Sequence, residues 1–254
     1  MPDIGLVLAL ESRLVNAWPS FEIQLADGWI LRFAGGYSKR ANAATPLRPG
    51  AGVDDDLVQH VLRAYSRQGI RPTFRLTGVE APEVDARLAA HGLVEIEPTY
   101  GMVAPLDGVE EMPLDESVAI EPTVSRDWVR EAATAYGGDK ADDALLVEIV
   151  SRIRQRAGFA TLSLDDRPVA WGLGVIERGY VGLYDIVVAP DLKGIGLGRR
   201  TMLSLMAWGR ANGARFAYLQ VREENEVARS LYRSLGFSDA YRYTHRVTPA
   251  PAGA

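Results

Sequence analysis

"VVAPDLKGIGLGRRTML", Val187 to Leu203, decides how this chain is read. Three glycines stand at alternate positions, Gly194, Gly196 and Gly198, with Lys193 before them and Arg199 and Arg200 behind. An apolar strand pattern leads in and a helical pattern leads out. A glycine loop that opens a helix is suited to an anion: the backbone approaches closely, its amides point at the charge, and the helix start adds positive partial charge. A dinucleotide fingerprint needs Gly-x-Gly-x-x-Gly. Here the sixth position is Arg199 counted from Gly194, and Thr201 counted from Gly196. A P-loop needs Gly-Lys-Ser/Thr, but Arg199 follows Gly198. Both are excluded. Cations at a helix start oppose its dipole, so Lys193, Arg199 and Arg200 make most sense around a bound anion.

Around this loop the patterning predicts alternating strands and helices. "FATLSLDDRPVAWGLGVIERGYVGLYDIVVAP" reads as three antiparallel strands with turns at Asp165-Asp166 and Arg178-Gly179. "RRTMLSLMAWGRANG" reads as a helix with an apolar face of Met202, Leu205, Met206 and Trp208, stopped at Asn212-Gly213. A strand "RFAYLQV", a short helix "NEVARSLYRSLG" and a last strand "DAYRYTHRV" follow. Upstream, "VAIEPTV" is a strand, and Ser125 caps a helix. "DDALLVEIVSRIRQRAG" is a second amphipathic helix.

The proline-spaced, acidic stretch over 106–117 reads as a linker. Before it come an N-terminal helix and a hairpin turning at Asp27-Gly28. A strand "ANAATPL" is followed by a helix with Asp54, Asp55 and Asp56 at its start. "PTFRLTG" is a strand and "PEVDARLAAHG" a helix. The units "FRLTGVEAPEVDARLAAHGLVEIEPTYGMV" and "AYLQVREENEVARSLYRSLGFSDAYRYTHRV" share one order of elements, a faint internal repeat.

The chain has 254 residues, 47% hydrophobic and 24% charged, which bounds it to one large or two small globular domains. A net charge of -5 gives no general attraction to nucleic acid or to an anionic membrane. There is no cysteine, so disulfides, thiolate metal sites and a cysteine nucleophile are excluded. The start, "MPDIGLVLALESRLVNAW", reads as the first turns of a helix and not as a signal peptide. No run is long enough to span a bilayer. A cytoplasmic location is expected. His60, His91 and His245 lack metal-ligand spacing, so no metal is expected.

"VVAPDLKGIGLGRRTML" resembles the acetyl-CoA-binding motif of the GNAT superfamily, the Gcn5-related N-acetyltransferases. That motif is an apolar strand, a proline turn, then Arg/Gln-x-x-Gly-x-Gly/Ala at a helix start. Lys193 stands where Arg or Gln is usual, while Gly196 and Gly198 match the small positions. "LQVREENEVARSLYRSLGF" resembles the second signature through Asn225, Ala228, Leu231, Tyr232, Gly236 and Phe237. The resemblance covers roughly 118–247. "GWILRFAGGYSKRAN" is similar to a segment of two-domain bacterial members, whose first half looks like a degenerate copy of the same fold.

The resemblance implies an α/β fold with a mixed, mostly antiparallel sheet flanked by helices, in two GNAT-like halves. The expected division is 1–105 for the degenerate half, 106–117 for the linker, 118–247 for the acetyl-CoA-binding half and 248–254 for a flexible tail. It implies acetyl-CoA as the acetyl donor. The cofactor-binding residues would be Ile186, Val187, Val188, Lys193, Gly194, Ile195, Gly196, Leu197, Gly198, Arg199, Asn225 and Tyr232.

Acetyl transfer to an amine needs a neutral amine, a stabilised oxyanion and a proton for the leaving thiolate. By resemblance, the catalytic residues would be Tyr232, the acid for the thiolate, and Asp185, which meets the amine. The Val188 amide would be the oxyanion donor. Two positions where the family commonly carries a glutamate are Tyr184 and Gln220, so the general base is left open. Asn225 reads both as a helix cap and as a pantetheine contact. Trp29, Arg32, Tyr37, Arg40 and Asn42 are candidates for lining a substrate cleft. The expected partner is a small-molecule amine, with no nucleic acid and no membrane. The alternatives are a protein N-terminus or lysine as acceptor, and a non-catalytic acyl-CoA sensor.

Overall fold

The computed structural model describes residues 3–107, 115–137 and 143–250. Most of the stretch expected as a linker, and residues 251–254 of the tail, therefore lie outside the described residues. In chain order the elements begin with α1 (Ile4–Ala17), β1 (Glu22–Ala26), β2 (Trp29–Phe33), β3 (Ala44–Pro46), α2 (Asp55–Arg67), β4 (Thr73–Leu76), α3 (Val84–Ala90) and β5 (Val94–Pro105). Then follow β6 (Val118–Glu121), α4 (Arg126–Tyr136), α5 (Asp143–Ser151), β7 (Arg156–Leu164), β8 (Arg167–Glu177) and β9 (Tyr180–Val188). The last are α6 (Leu197–Ala211), β10 (Phe216–Arg222), α7 (Glu226–Ser234) and β11 (Ser238–Val247). The chain forms two compact units: Met1–Gly101 with Val221–Glu226 and Asp239–Ala254, and Met102–Gln220 with Val227–Ser238.

In the first unit the strand order is β1-β2-β3-β4-β11-β5. Local chemistry starts its helices. The Asp3 carboxylate accepts from the Leu6 amide at 3.1 Å, and Asp54 accepts from Leu57 at 2.8 Å; such a cap contributes about 1 kcal/mol. The Asp27-Gly28 hairpin forms as read, with φ of 46° and 89°. Trp29, Leu31 and Phe33 alternate onto one face of β2 and bury against Val58, Val61 and Tyr65 of α2.

A buried polar cluster lies in the same unit. Arg75 on β4 donates to both Glu11 oxygens at 2.8 Å, and the Tyr241 hydroxyl donates to Glu11. The Arg75 guanidinium stacks 3.4 Å from the centre of the Tyr243 ring. Burial works against the charge of Arg75, but the charge and hydrogen bonds of Glu11 outweigh it and hold the guanidinium above its ordinary range. His245 pairs with Arg75 across the β4–β11 register and is 4% exposed. Neither of its ring nitrogens has a hydrogen-bond partner among the described residues.

Burial, then the charges of Arg75, Lys39 and Arg222, push the His245 imidazole well below its ordinary 6.5. The Glu97 carboxylate, 3.8 Å away, does not reverse this. The folded chain thus keeps His245 neutral, whereas the unfolded chain protonates it below about 6.5. Its contribution is complete above that pH and is lost as pH falls, by up to about 1.4 kcal/mol per unit. Melts from about pH 7.5 to about pH 5.5 are expected to show this slope in the wild type and a shallower one in His245→Phe.

In the second unit the order is β10-β9-β8-β7-β6. All neighbours are antiparallel except β9 and β10, which are parallel. The sheet is mixed, mostly antiparallel and flanked by helices, as expected. Ser125 caps α4 by accepting from the Trp128 amide at 3.0 Å. The turns at Asp165-Asp166 and Arg178-Gly179 fall where read, each with two positive φ angles. Helix α6 buries Met202, Leu205 and Met206 and lies close on the sheet. A side chain at Gly209 would meet Val181 Cγ1 at 2.7 Å.

Candidate active site

The site is built from the end of β9. Strands β9 and β10 share only three rungs, the last being Gly182 with Tyr218. Beyond that rung the two part. Against β8 the register also shifts: Leu173 faces Tyr184 and Trp171 faces Val187, so Gly172 stands opposite both Asp185 and Ile186. Asp185 takes φ 46°, a left-handed conformation rare for a residue with a side chain. This bulge re-aims the rest of the strand. The Ala189 amide donates to Val169 O at 2.8 Å. Successive amides in a strand alternate sides, so the Val188 amide points away from β8, toward the opening where β10 has departed. Asp185, Ile186 and Val188 are half-buried, and Val187 is 7% exposed.

A 3-10 turn, Pro190–Leu192, carries the chain into the glycine loop. Gly194 and Gly196 take φ of 86° and 90°, and a Cβ on either would meet nothing within 4 Å. Glycine is needed there for backbone conformation, and the space above the loop is open. Leu197 buries into the cluster of Leu162, Val169 and Ala170 and pins the loop, while Lys193 and Ile195 are exposed. Gly196 caps α6 without any side-chain hydrogen bond, and no acid occupies the first turn. Among the described residues the amides from Gly194 to Arg199 have no acceptor. A helix start with this many open donors matches a pyrophosphate.

The flanking cations differ in what they can do. Arg199 is exposed, and its Nη1 donates to Ser234 Oγ of α7 at 2.9 Å. Arg200 is not available to an anion: it holds Asp115 by two bonds, at 2.6 and 3.0 Å. The Arg200 hydrogen bonds hold the Asp115 carboxyl below its ordinary range. Tyr232 is half-buried, its ring 6.1 Å from that of Phe237. Asn225 belongs to the first unit and Tyr232 to the second.

Three of the residues read as lining a cleft are structural. Trp29 is fully buried and donates to Gly52 O at 2.8 Å. Arg32 is 2% exposed and donates to the carbonyls of Val15, Trp18 and Arg40. Burial, then the charge of Arg75, pushes it down to about 10. Asn42 accepts from the Ala34 and Gly36 amides at 2.7 and 3.0 Å, closing its own loop. Each satisfies backbone groups that would otherwise be buried alone. Tyr37 and Arg40 are half-buried.

Sequence reasoning missed one feature beside the parted strands. The Tyr184 and Tyr218 hydroxyls are hydrogen-bonded to each other, and both residues are buried. A side chain at Gly182 would meet the Tyr184 oxygen at 2.6 Å. Tyr184 stands where a glutamate was looked for, but its partner is revealed only by the β9–β10 register. Among the described residues no group of three His, Cys, Asp or Glu is placed to hold a metal, and no helix is long and apolar enough to cross a membrane.

Parted parallel strands, a bulge and an open glycine loop together define the GNAT class of acetyltransferase. The chain belongs to the family described as "Probable histone acetyltransferase Rv0428c C-terminal", whose model matches residues 6–246. It is 26% identical over 241 residues to "Uncharacterized N-acetyltransferase YobR" of Bacillus subtilis, covering 94% of this chain and 97% of that one. It is 30% identical to the "Mycothiol acetyltransferase" of Actinosynnema mirum, over 92% of this chain and 86% of that one. Among solved structures it is similar to a GCN5-related N-acetyltransferase from Kribbella flavida, with a TM-score of 0.67 and 16% identity over 98% of this chain and 96% of that one. It is also similar to a tandem GNAT protein from the clavulanic acid biosynthesis pathway, with a TM-score of 0.62 and 14% identity over 95% and 89% of the two chains. The chain is a GNAT-type acyltransferase with a tandem fold.

Because Arg200 is engaged by Asp115, Arg200→Ala is expected to lower stability by about 1 kcal/mol or less. It should leave acetyl-CoA affinity within about twofold, well under 1.4 kcal/mol. A denaturant melt and a calorimetric titration check the two halves of this expectation.

Proposed function

We propose that the chain transfers the acetyl group of acetyl-CoA to a primary amine of a small molecule, in the cytoplasm, by direct attack without a covalent enzyme intermediate. The observation that carries this reading is the row of acceptor-free amides from Gly194 to Arg199 where α6 begins. Acetyl-CoA supplies a pyrophosphate for that row and a thioester as the acyl source. Lys193 and Arg199 add positive charge, and Gly194, Ile195, Gly196, Leu197 and Gly198 offer amides. Ile186, Val187 and Val188 border the opening left by β10, which suits the pantetheine arm.

The remaining roles follow from the chemistry. The Val188 amide donates to the carbonyl oxygen as it gains charge. Asp185, next to the bulge, meets the amine and favours its approach with a free lone pair. Tyr232 gives its phenolic proton to the departing thiolate. The match to mycothiol acetyltransferases along nearly the whole chain supports a small acceptor. The family description names a histone, which makes a protein lysine the second reading.

The test is release of free coenzyme A over a panel of amines and peptides. Turnover with small amines above peptides is the expected result. Tyr232→Phe should then lower kcat by about 10²-fold or more, with acetyl-CoA binding retained. Binding without release for any acceptor would replace this reading with that of a sensor.

A further inference from the structure

On the side of the sheet covered by α4, a cleft of about 470 Å³ opens between that helix, the start of β8 and the residues after β9. Its walls are apolar, formed by Ala135, Pro168, Trp171, Ala189 and Pro190. Trp171 faces Val187 and Leu173 faces Tyr184, so the cleft lies on the same face of the sheet as Tyr184. Glu131 of α4 reaches into it. Its carboxylate accepts only a long bond from Trp171 Nε1, at 3.4 Å. The other charges at the rim are matched: Arg130 with Asp127 at 2.7 Å and Arg167 with Asp191 at 3.1 Å. Among the described residues Glu131 has no cationic partner.

A half-buried carboxylate beside an indole, in an apolar cleft with every cation engaged elsewhere, complements an organic cation. We propose that this cleft takes a positively charged group of the acceptor, an alkylammonium on an apolar arm, with Glu131 as its counter-ion and Trp171 as its wall. The proposal rests on the amine-transfer reading and names its substrate class. Trp171, which donates to Glu131, faces Val187, two residues beyond Asp185, so the cleft opens beside the strand end that carries Asp185 and Val188. An acceptor with an alkylammonium on an apolar arm fits it, and acidic acceptors are disfavoured.

The probe is n-pentyltrimethylammonium, a permanent cation that cannot be acetylated. It is titrated calorimetrically into the full chain, beside hexanoate and, separately, acetyl-CoA. Saturable binding of the cation and none of hexanoate is expected. Glu131→Gln should weaken the cation about tenfold, equal to 1.4 kcal/mol. Thr134→Arg, which sets a positive charge on an exposed rim residue, should do the same without touching Glu131. No binding of the probe by the wild type, or equal binding by both variants, overturns the proposal. If the cation binds and acetyl-CoA does not, the cleft stands and the transferase reading falls.

Discussion

Gly196→Glu is expected to weaken the binding of acetyl-CoA by about 100-fold or more, near 2.7 kcal/mol. Two effects combine. Gly196 sits at φ 90°, so any side chain strains the loop by about 1–3 kcal/mol. The glutamate also projects into the open space above the amide row, where a Cβ meets nothing within 4 Å. There it places a negative charge where the pyrophosphate should sit. Gly196→Ala separates the two effects, because it keeps the strain and adds no charge. It is expected to weaken binding less than the glutamate does. Calorimetric titration of the three proteins, each checked for cooperative melting, decides the matter. Wild-type affinity in Gly196→Glu would contradict the role of the loop.

The largest stability effect is expected at Arg75. Arg75→Ala takes from the Glu11 carboxylate, 7% exposed in its side chain, the guanidinium that binds both of its oxygens. Removing one partner of a buried pair costs about 3–5 kcal/mol, a large share of the roughly 5–15 kcal/mol that holds a typical domain together. The hydroxyl of Tyr241 still reaches Glu11 but brings no charge. Replacing both members, as in Glu11→Leu with Arg75→Met, removes the buried carboxylate and is expected to recover most of the loss. Denaturant melts of the single and double variants measure it. A double variant as unstable as Arg75→Ala would show that packing around Tyr243, and not the buried charge, sets the cost.

What was legible in the sequence was local. Asp54 and Ser125 mark helix starts because a cap acts on an amide three residues away. The turns at Asp27-Gly28 and Arg178-Gly179 are legible because positive φ is confined to a few residue types. Gly194 and Gly196 belong with these. Long-range pairing was not legible. Arg200 reads as an anion ligand from its place beside the loop, yet its partner Asp115 lies 85 residues earlier. Arg32 and Asn42 read as cleft-lining candidates because polar residues are usually exposed, but backbone carbonyls and amides that only the fold gathers hold them inside. Arg75 and Glu11 are 64 residues apart, and Tyr241 is 230 from Glu11, so nothing in either neighbourhood announces the cluster. The parting of β9 from β10 is of the same kind, since register is a property of two strands and is written in neither alone.

The most direct test of the central claim is to follow the backbone amides of the isotope-labelled chain by NMR as acetyl-CoA is added. The account requires saturable shifts that are largest from Gly194 to Arg199, with the Val188 amide moving at the same ligand concentration. Saturable shifts confined to other elements, with the loop amides unmoved, would contradict it.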